Sequence, residues 1–270
     1  VRDGAGSVVD GLRVRGCPAF EAFAGPVSYK NITVDSVTGY AGLVNGGHGV
    51  IRSFHAPGPL VIAETGELTL RDIDIASPSG GALQIYTVTD LLTVYDAFLS
   101  AEGGNCVVIS NTAPGWITFD DTHIVADGDY TCMQILQARA VSVKDAELFT
   151  EATGAGIGIM SVTGQVLYVQ SRWIRAGTTA GILLQAPNTE LFLYDTTILT
   201  GTGAGVFSVV GLTNGTSPRI ADCRLEMDTS PTQGMGVPGW NAFSANGNVG
   251  GQEDGNGNIV QNAAGSPVSP

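Results

Sequence analysis

Several short segments of this chain carry chemically capable side chains at matching places. Two residues after a recurring acidic position stand Asp74, Phe98, His123, Glu147, Trp173, Thr197 and Arg224. Just before that position stand Arg71, Tyr95, Asp120, Lys144, Gln170 and Tyr194. If the segments lie side by side at the ~4.8 Å spacing of paired strands, His123, Glu147 and Trp173 become neighbours on one face. An acid, a base and an aromatic platform suit a sugar: the ring stacks on it and the acid and base move protons. Two carboxyl groups flanking a glycosidic bond can hydrolyse it, and Asp120 with Glu147 is the pair we nominate, His123 completing the catalytic set. Trp173, Phe98, Tyr95 and Tyr194 are the candidates for carbohydrate binding. The alternative is an ordinary solvated face, because a long repetitive surface places such groups together by chance.

What would position these groups is a repeat. GELTLRDIDIAS, DLLTVYDAFLSA, GWITFDDTHIVA, AVSVKDAELFTE, QVLYVQSRWIRA, ELFLYDTTILTG and SPRIADCRLEMD share the pattern apolar-x-apolar-x-Asp-x-x-apolar. The acidic position is Asp72, Asp96, Asp121, Asp145, then Ser171, Asp195 and Asp222, with successive gaps of 24, 25, 24, 26, 24 and 27. Alternation with period two over four to six residues is a strand signal, and a fixed period near 25 residues is the mark of a solenoid. One coil cannot bury its own apolar face, so stacked coils must share a core, as in a parallel β-helix. The inward columns predicted are Leu68, Leu92, Ile117, Val141, Leu167 and Leu191, and Leu70, Val94, Phe119, Val143, Val169 and Leu193.

A second strand begins 11 or 12 residues after the acid in most units, as in GALQI, NCVVI, TCMQI, AGIGI, AGILL and AGVFS. It is preceded by a row of small residues, Ala82, Cys106, Cys132, Gly156, Gly181 and Gly205. Cys106 and Cys132 read there as small core residues rather than as a disulfide.

This motif, with its small residue and second apolar pair, resembles the right-handed parallel β-helix proteins of the pectate-lyase-like superfamily over residues 67–237. The resemblance implies an all-β, right-handed, single-stranded parallel β-helix of about 25 residues per coil, and carbohydrate as the partner. That superfamily holds polysaccharide lyases, hydrolases, epimerases and phage tailspikes, so it implies no single reaction. Asp stands here where Asn is usual in the turn ladder. Stacked carboxylates repel, so the ladder is expected to face solvent, each Asp accepting hydrogen bonds from local backbone amides. Calcium bridging along the ladder is the sharper alternative; no other cofactor and no resident metal is expected.

The outward positions of the second strand type read Gln84, Val108, Gln134, Gly158, Leu183 and Phe207, then Tyr86, Ser110, Leu136, Met160, Gln185 and Val209, without one charge. An uncharged outer stripe suggests a protein contact, so Leu136, Met160, Leu183, Phe207 and Val209 are the expected oligomer interface, a trimer being favoured.

Composition sets the outer limits. The chain has 270 residues with 38 glycines, 12 bases against 25 acids and a formal charge of −13. That balance disfavours nucleic acid and anionic membrane as partners, and no apolar run is long enough to insert in a bilayer. The sequence begins at Val1 without an apolar leader, as a processed or truncated product would. Residues 1–236 are expected to form the solenoid, less regular over 1–66 and regular over 67–236, with 237–270 a Gly/Asn-rich cap or tail. His48 to Glu64 reads as a longer excursion, which leaves His48 and His55 without partners. Asn31-Ile-Thr and Asn214-Gly-Thr match the glycosylation pattern. The leading expectation is an extracellular or virion-associated rod that oligomerises and binds polysaccharide through its flank. A polysaccharide lyase or hydrolase is the rival, and a purely structural filament module the third reading.

Overall fold

The computed structural model describes residues 2–3, 7–151, 154–177, 179–186, 189–200, 208–211, 217–221, 223–227 and 259–262. Within them the recurring acidic position is a corner of one residue. Asp72, Asp96, Asp121, Asp145 and Asp195 all have φ between 46° and 55°, in the left-handed region. The corner continues upstream through Ser53 (φ 52°), Asn31 (φ 52°) and Gly11 (φ 76°). Left-handed backbone costs an ordinary L-residue about 1–2 kcal/mol, whereas Gly, Asn and Asp visit it readily. The demand for that conformation explains the spacing of the acids.

On each side of the corner the chain is extended, and coils stack into three faces of parallel strands. The first face includes Leu83–Ile85, Val107–Ser110, Met133–Gln137, Ile157–Ser161 and Ala180–Leu184. The second face, before the corner, includes Ala140–Lys144, Val166–Gln170 and Glu190–Tyr194. The third, after it, includes Glu147–Thr150, Trp173–Ala176 and Thr197–Thr200. The pairings between coils are parallel, many of them in unbroken register, for example Val141 with Ile117 and Leu167, while bulges shift the register between Ile135 and Gln137 and along the long early strands. The protein is thus an all-β parallel solenoid. Among the described residues no helix is long and apolar enough to cross a membrane.

The two predicted inward columns hold. Leu68, Leu92, Ile117, Val141, Leu167 and Leu191 are fully buried, as are Leu70, Val94, Phe119, Val143, Val169 and Leu193 to within 1%. Burying each such side chain contributes about 1.5–3 kcal/mol, and every coil shares that burial with the coils above and below.

The coil length is not uniform. Leu12 pairs with Ile32, Ile32 with Phe54 and Phe54 with Ile73, so the early coils take 19 to 22 residues. From Ile73 to Ala97 and onward to Arg224, counted on the third face, each takes 24 to 27, and the step from Arg224 to Ile259 takes 35. The expected excursion from His48 to Glu64 is instead part of the strands Gly42–Ala56 and Leu60–Ser77, which run through two or three faces. Glycine makes this possible: Gly46 (φ 84°) and Gly49 (φ 125°) bend the strand where a loop would otherwise stand. A Cβ on Gly49 would lie 2.3 Å from the Val27 carbonyl oxygen. With fewer inward positions, the short coils fill their core with larger groups. Phe20 lies 4.6 Å from Tyr29 and 5.6 Å from Phe54, ring centre to ring centre.

The small-residue row also differs in register. Met133 pairs with Ile159, and Ile159 with Ile182, so Gly158 rather than Gly156 follows Cys132, and Gly181 comes next. A Cβ on Gly158 would meet Ile174 at 2.4 Å. The row extends upstream through Pro59 and Ala41 to Ala19, placed by the pairing of Leu83, Leu60, Gly42 and Phe20. The sequence motif AGIGI fits the pattern in two registers, and packing selects the one that keeps Ile159 on Met133. Gly205 lies outside the described residues. Cys106 and Cys132 are buried free thiols, as read from sequence. Beyond the acidic repeats, Ile259–Asn262 pairs in register with Arg224–Met227 and adds a strand to the third face.

Candidate functional site

The single-residue corner splits the chemically capable side chains between two faces. On the third face the register sets Asp74, Phe98, His123, Glu147, Trp173, Thr197 and Arg224 in one column, as the spacing predicts. His55 joins it directly above Asp74, so this histidine does have a partner: its Nδ1 is 3.5 Å from the Asp74 carboxylate. The partner was hidden because the shorter coil breaks the 25-residue count.

His123 Nδ1 lies 3.1 Å from Glu147 Oε2. With the Glu147 carboxylate as acceptor, Nδ1 is the nitrogen that donates, and Nε2 takes no part in this contact. The imidazole is flanked by Phe98, stacked at 5.2 Å and 10°, and by Phe149 at 5.3 Å. Trp173 is 43% exposed beside Glu147. Three of the nominated residues, His123, Glu147 and Trp173, therefore do adjoin one another, with Phe98 on the far side of His123.

Asp120 is elsewhere. It precedes the corner and stands on the second face, next to Tyr95 and Lys144 in the column Arg71, Tyr95, Asp120, Lys144, Gln170 and Tyr194. Its carboxylate faces Lys144 Nζ at 3.9 Å, and the same ammonium is 3.5 Å from Asp145. Asp120 and Glu147 thus sit on opposite sides of the Asp121/Asp145 corner.

The corner acids face solvent as expected, and among the described residues their carboxylates meet side chains rather than local backbone amides. Asp72 accepts a hydrogen bond from the Ser53 hydroxyl at 2.6 Å, Asp121 pairs with Arg172 at 3.1 Å and Asp96 with Arg71 at 3.5 Å. Their backbone conformation already accounts for the residue type, and the carboxylates of Asp72, Asp96, Asp121 and Asp145 meet side chains of their own coil or of coils one or two steps away. No group of three or more His, Cys, Asp or Glu side chains comes together among the described residues.

The second face also carries a feature that the spacing argument missed. Between Trp116 and Tyr168 the intervening coil has the small residues Ala140, which is buried, and Ser142, beside a groove of about 420 Å³. Trp116, Thr118, Ser142, Lys144, Tyr168, Gln170, Phe192 and Tyr194 line it. Trp116 and Tyr168 are near-parallel with ring centres 6.4 Å apart, and Tyr168 stacks on Phe192 at 4.6 Å. Arg219 caps Phe192 at 5.2 Å. Trp116 and Tyr168 occupy different positions in their strands, so reading one column at a time hides their contact. Their alternation with small residues was the available signal.

On the first face the outward column is Gln84, Val108, Gln134, Met160 and Leu183. Met160 therefore lies beside Gln134, two positions from where the repeat count put it. Leu136 sits at a bulge between Ile135 and Gln137. Leu136, Met160 and Leu183 are half-buried. Val209 falls in the register of Gly181, and Phe207 and Asp222 lie outside the described residues.

Of the buried thiols, Cys132 donates to the Phe149 carbonyl at 3.0 Å, and burial pushes its ionisation up to about 12. Burial likewise raises Cys106. Neither is a nucleophile at neutral pH. No protein-family model matches this chain, and neither the curated proteins nor the solved structures give a match.

Proposed function

We propose that this protein is a rod that binds polysaccharide along its flank, and that the groove on the second face is the binding surface. The observation that carries this reading is the groove itself: Trp116 and Tyr168 partly exposed, with Thr118, Ser142, Lys144 and Gln170 around them. A sugar presents apolar C–H faces and hydroxyl edges, and this lining offers aromatic surface together with donors and acceptors at its margin. The resemblance to the pectate-lyase-like superfamily supports the same ligand class by analogy of fold.

Titration of the protein with a panel of neutral and acidic oligosaccharides tests it. Tyr168→Ala and Trp116→Ala are expected to weaken the retained ligand about tenfold or more, equivalent to ~1.4 kcal/mol. Binding unchanged in both variants would sink the assignment to this face. An extracellular or virion-borne location belongs to this reading, as does self-association through the uncharged first face around Leu136, Met160 and Leu183. Light scattering decides the latter: a trimer supports it and a monomer removes it.

The 3.1 Å contact of His123 with Glu147 favours a second reading, a polysaccharide-cleaving site on the third face. There Glu147 holds the imidazole and His123 Nε2 takes or gives the proton. Asp120, on the other side of the corner, is the weakest member of the nominated set. Product release from the panel that is lost in Glu147→Gln supports cleavage, and an absence of products across the panel removes it.

A further inference from the structure

The column that ends in the groove passes, several coils earlier, through three successive cations. Lys30 pairs with Arg52, and Arg52 with Arg71, and Arg71 then adjoins Tyr95. All three cations are exposed. Arg71 is engaged, with Asp96 at 3.5 Å and the Tyr95 ring at 5.2 Å. Lys30 and Arg52 have no ion-pair partner among the described residues. Asp10, the next position beyond Lys30, accepts a hydrogen bond from Asn31 Nδ2 at 2.7 Å.

Like charges opposite one another on adjacent strands repel, so the protein gains nothing internally from this arrangement. The corner ladder departs from its rule at the same coils: beside Lys30 and Arg52 it is Asn31 and Ser53, and it becomes acidic only from Asp72. Charge is divided in the same way along the chain. Residues 1–71 hold six bases and six acids, whereas residues 72–270 hold six bases against nineteen acids and so carry the whole of the −13. The adjoining outward column, Ser28, Val50, Thr69, Thr93, Thr118 and Ser142, supplies hydroxyls along nearly its full length. From Lys30 to Tyr194 the strip spans seven inter-strand steps, about 34 Å.

We propose that Lys30 and Arg52, with Arg71 beside them, form an anion-binding subsite continuous with the aromatic groove. The ligand is then an acidic glycan laid lengthwise, its sulfate or carboxylate groups over the cations and its sugar faces toward Trp116 and Tyr168. This inference rests on the reading of the groove as a polysaccharide surface.

The test uses dextran, carboxymethyl dextran and dextran sulfate of matched length, with inorganic polyphosphate as a polyanion without sugar. Binding is measured at low and high salt on the whole chain, and circular dichroism checks the fold of each variant. The two charged dextrans are expected to bind at least tenfold tighter than dextran at low salt, with the advantage shrinking at high salt. The double variant Lys30→Ala/Arg52→Ala is expected to lose that advantage, and Lys30→Arg to keep it. A preference for only one charged dextran supports the subsite and identifies its anion as sulfate or carboxylate. Charged dextrans that do not bind, or that bind equally to the double variant, overturn the inference. Polyphosphate binding as tightly as the charged dextrans overturns the assignment to a glycan. Failure of the groove reading is distinct: Tyr168→Ala would then leave all oligosaccharide binding untouched, whatever the cations do.

Discussion

The coils before Ile73 and those after it solve the same packing problem with different means. The early coils close in 19 to 22 residues by bending continuous strands at glycines, and they fill a narrow interior with Phe20, Tyr29 and Phe54. The later coils use 24 to 27 residues, separate strands and loops, and an interior dominated by Leu, Ile and Val. Both use the left-handed corner, at Gly11, Asn31 and Ser53 in the early coils and at Asp72, Asp96, Asp121, Asp145 and Asp195, whereas buried Ser171 holds the same position without it. The difference teaches that a one-residue corner recurs across both regions, at all but Ser171, while coil circumference and core side-chain size vary together. Charge follows the same division, balanced in residues 1–71, with the cations Lys30, Arg52 and Arg71 in one column, and strongly acidic beyond them.

Core truncation gives the largest expected effects. Phe54→Ala should cost about 3–5 kcal/mol and Leu92→Ala about 2–5, both read from urea unfolding. The comparison sharpens with Phe54→Leu, which should recover only part of the loss because leucine lacks the ring that meets Phe20 at 5.6 Å. Full recovery would break the link between short coils and large core groups.

Glycine substitutions come next. Gly49→Ala places a Cβ against the Val27 carbonyl in addition to its left-handed strain, whereas Gly80→Ala in a later coil (φ 86°) meets nothing within 4 Å. We expect the first to cost over about 2 kcal/mol and the second about 1. Equal losses would show that the close approach at Gly49 does not matter.

At the corner, Asp121→Asn should be nearly neutral and Asp121→Val should cost about 1–2 kcal/mol, because Asn tolerates the left-handed backbone and a β-branched residue does not. A large loss in Asp121→Asn would instead place the weight on the carboxylate and its contact with Arg172.

The smallest effect near neutrality concerns the thiols. Unfolded cysteines ionise near pH 8.5–9, but Cys132 stays protonated up to about 12. Between those values the unfolded chain binds fewer protons than the native one, so stability should fall as pH rises from about 8.5 toward 12. Near neutral pH a thiol reagent should react quickly with exposed Cys17 and not with Cys106 or Cys132 until unfolding. Rapid labelling of Cys132 would mean that its coil opens.

Much of the fold was legible because burial and backbone strain act on residue type locally. The acids at 24 to 27 residue gaps reported a corner that only Gly, Asn and Asp fill cheaply, and the alternating aliphatics reported the core columns. The early coils could be read as less regular solenoid turns but not in register, since Asn31 and Ser53 occupy the same corner without being acids and the period there is shorter. The slip of two residues at Gly158 came from a motif that is small-apolar-small-apolar in either register. At the site, the column through His123, Glu147 and Trp173 follows from spacing, whereas the separation of Asp120 depends on the turn between positions 120 and 122. The groove at Trp116 and Tyr168 is a contact between different columns, which no single-column reading contains.

The most direct test is a crystal structure of the protein with an oligosaccharide that it retains from the panel. The account predicts sugar rings along the second face, over Trp116 and Tyr168, with the chain running parallel to the stacking direction. Sugar bound instead at Trp173 and Glu147 on the third face, with the groove empty, would contradict it.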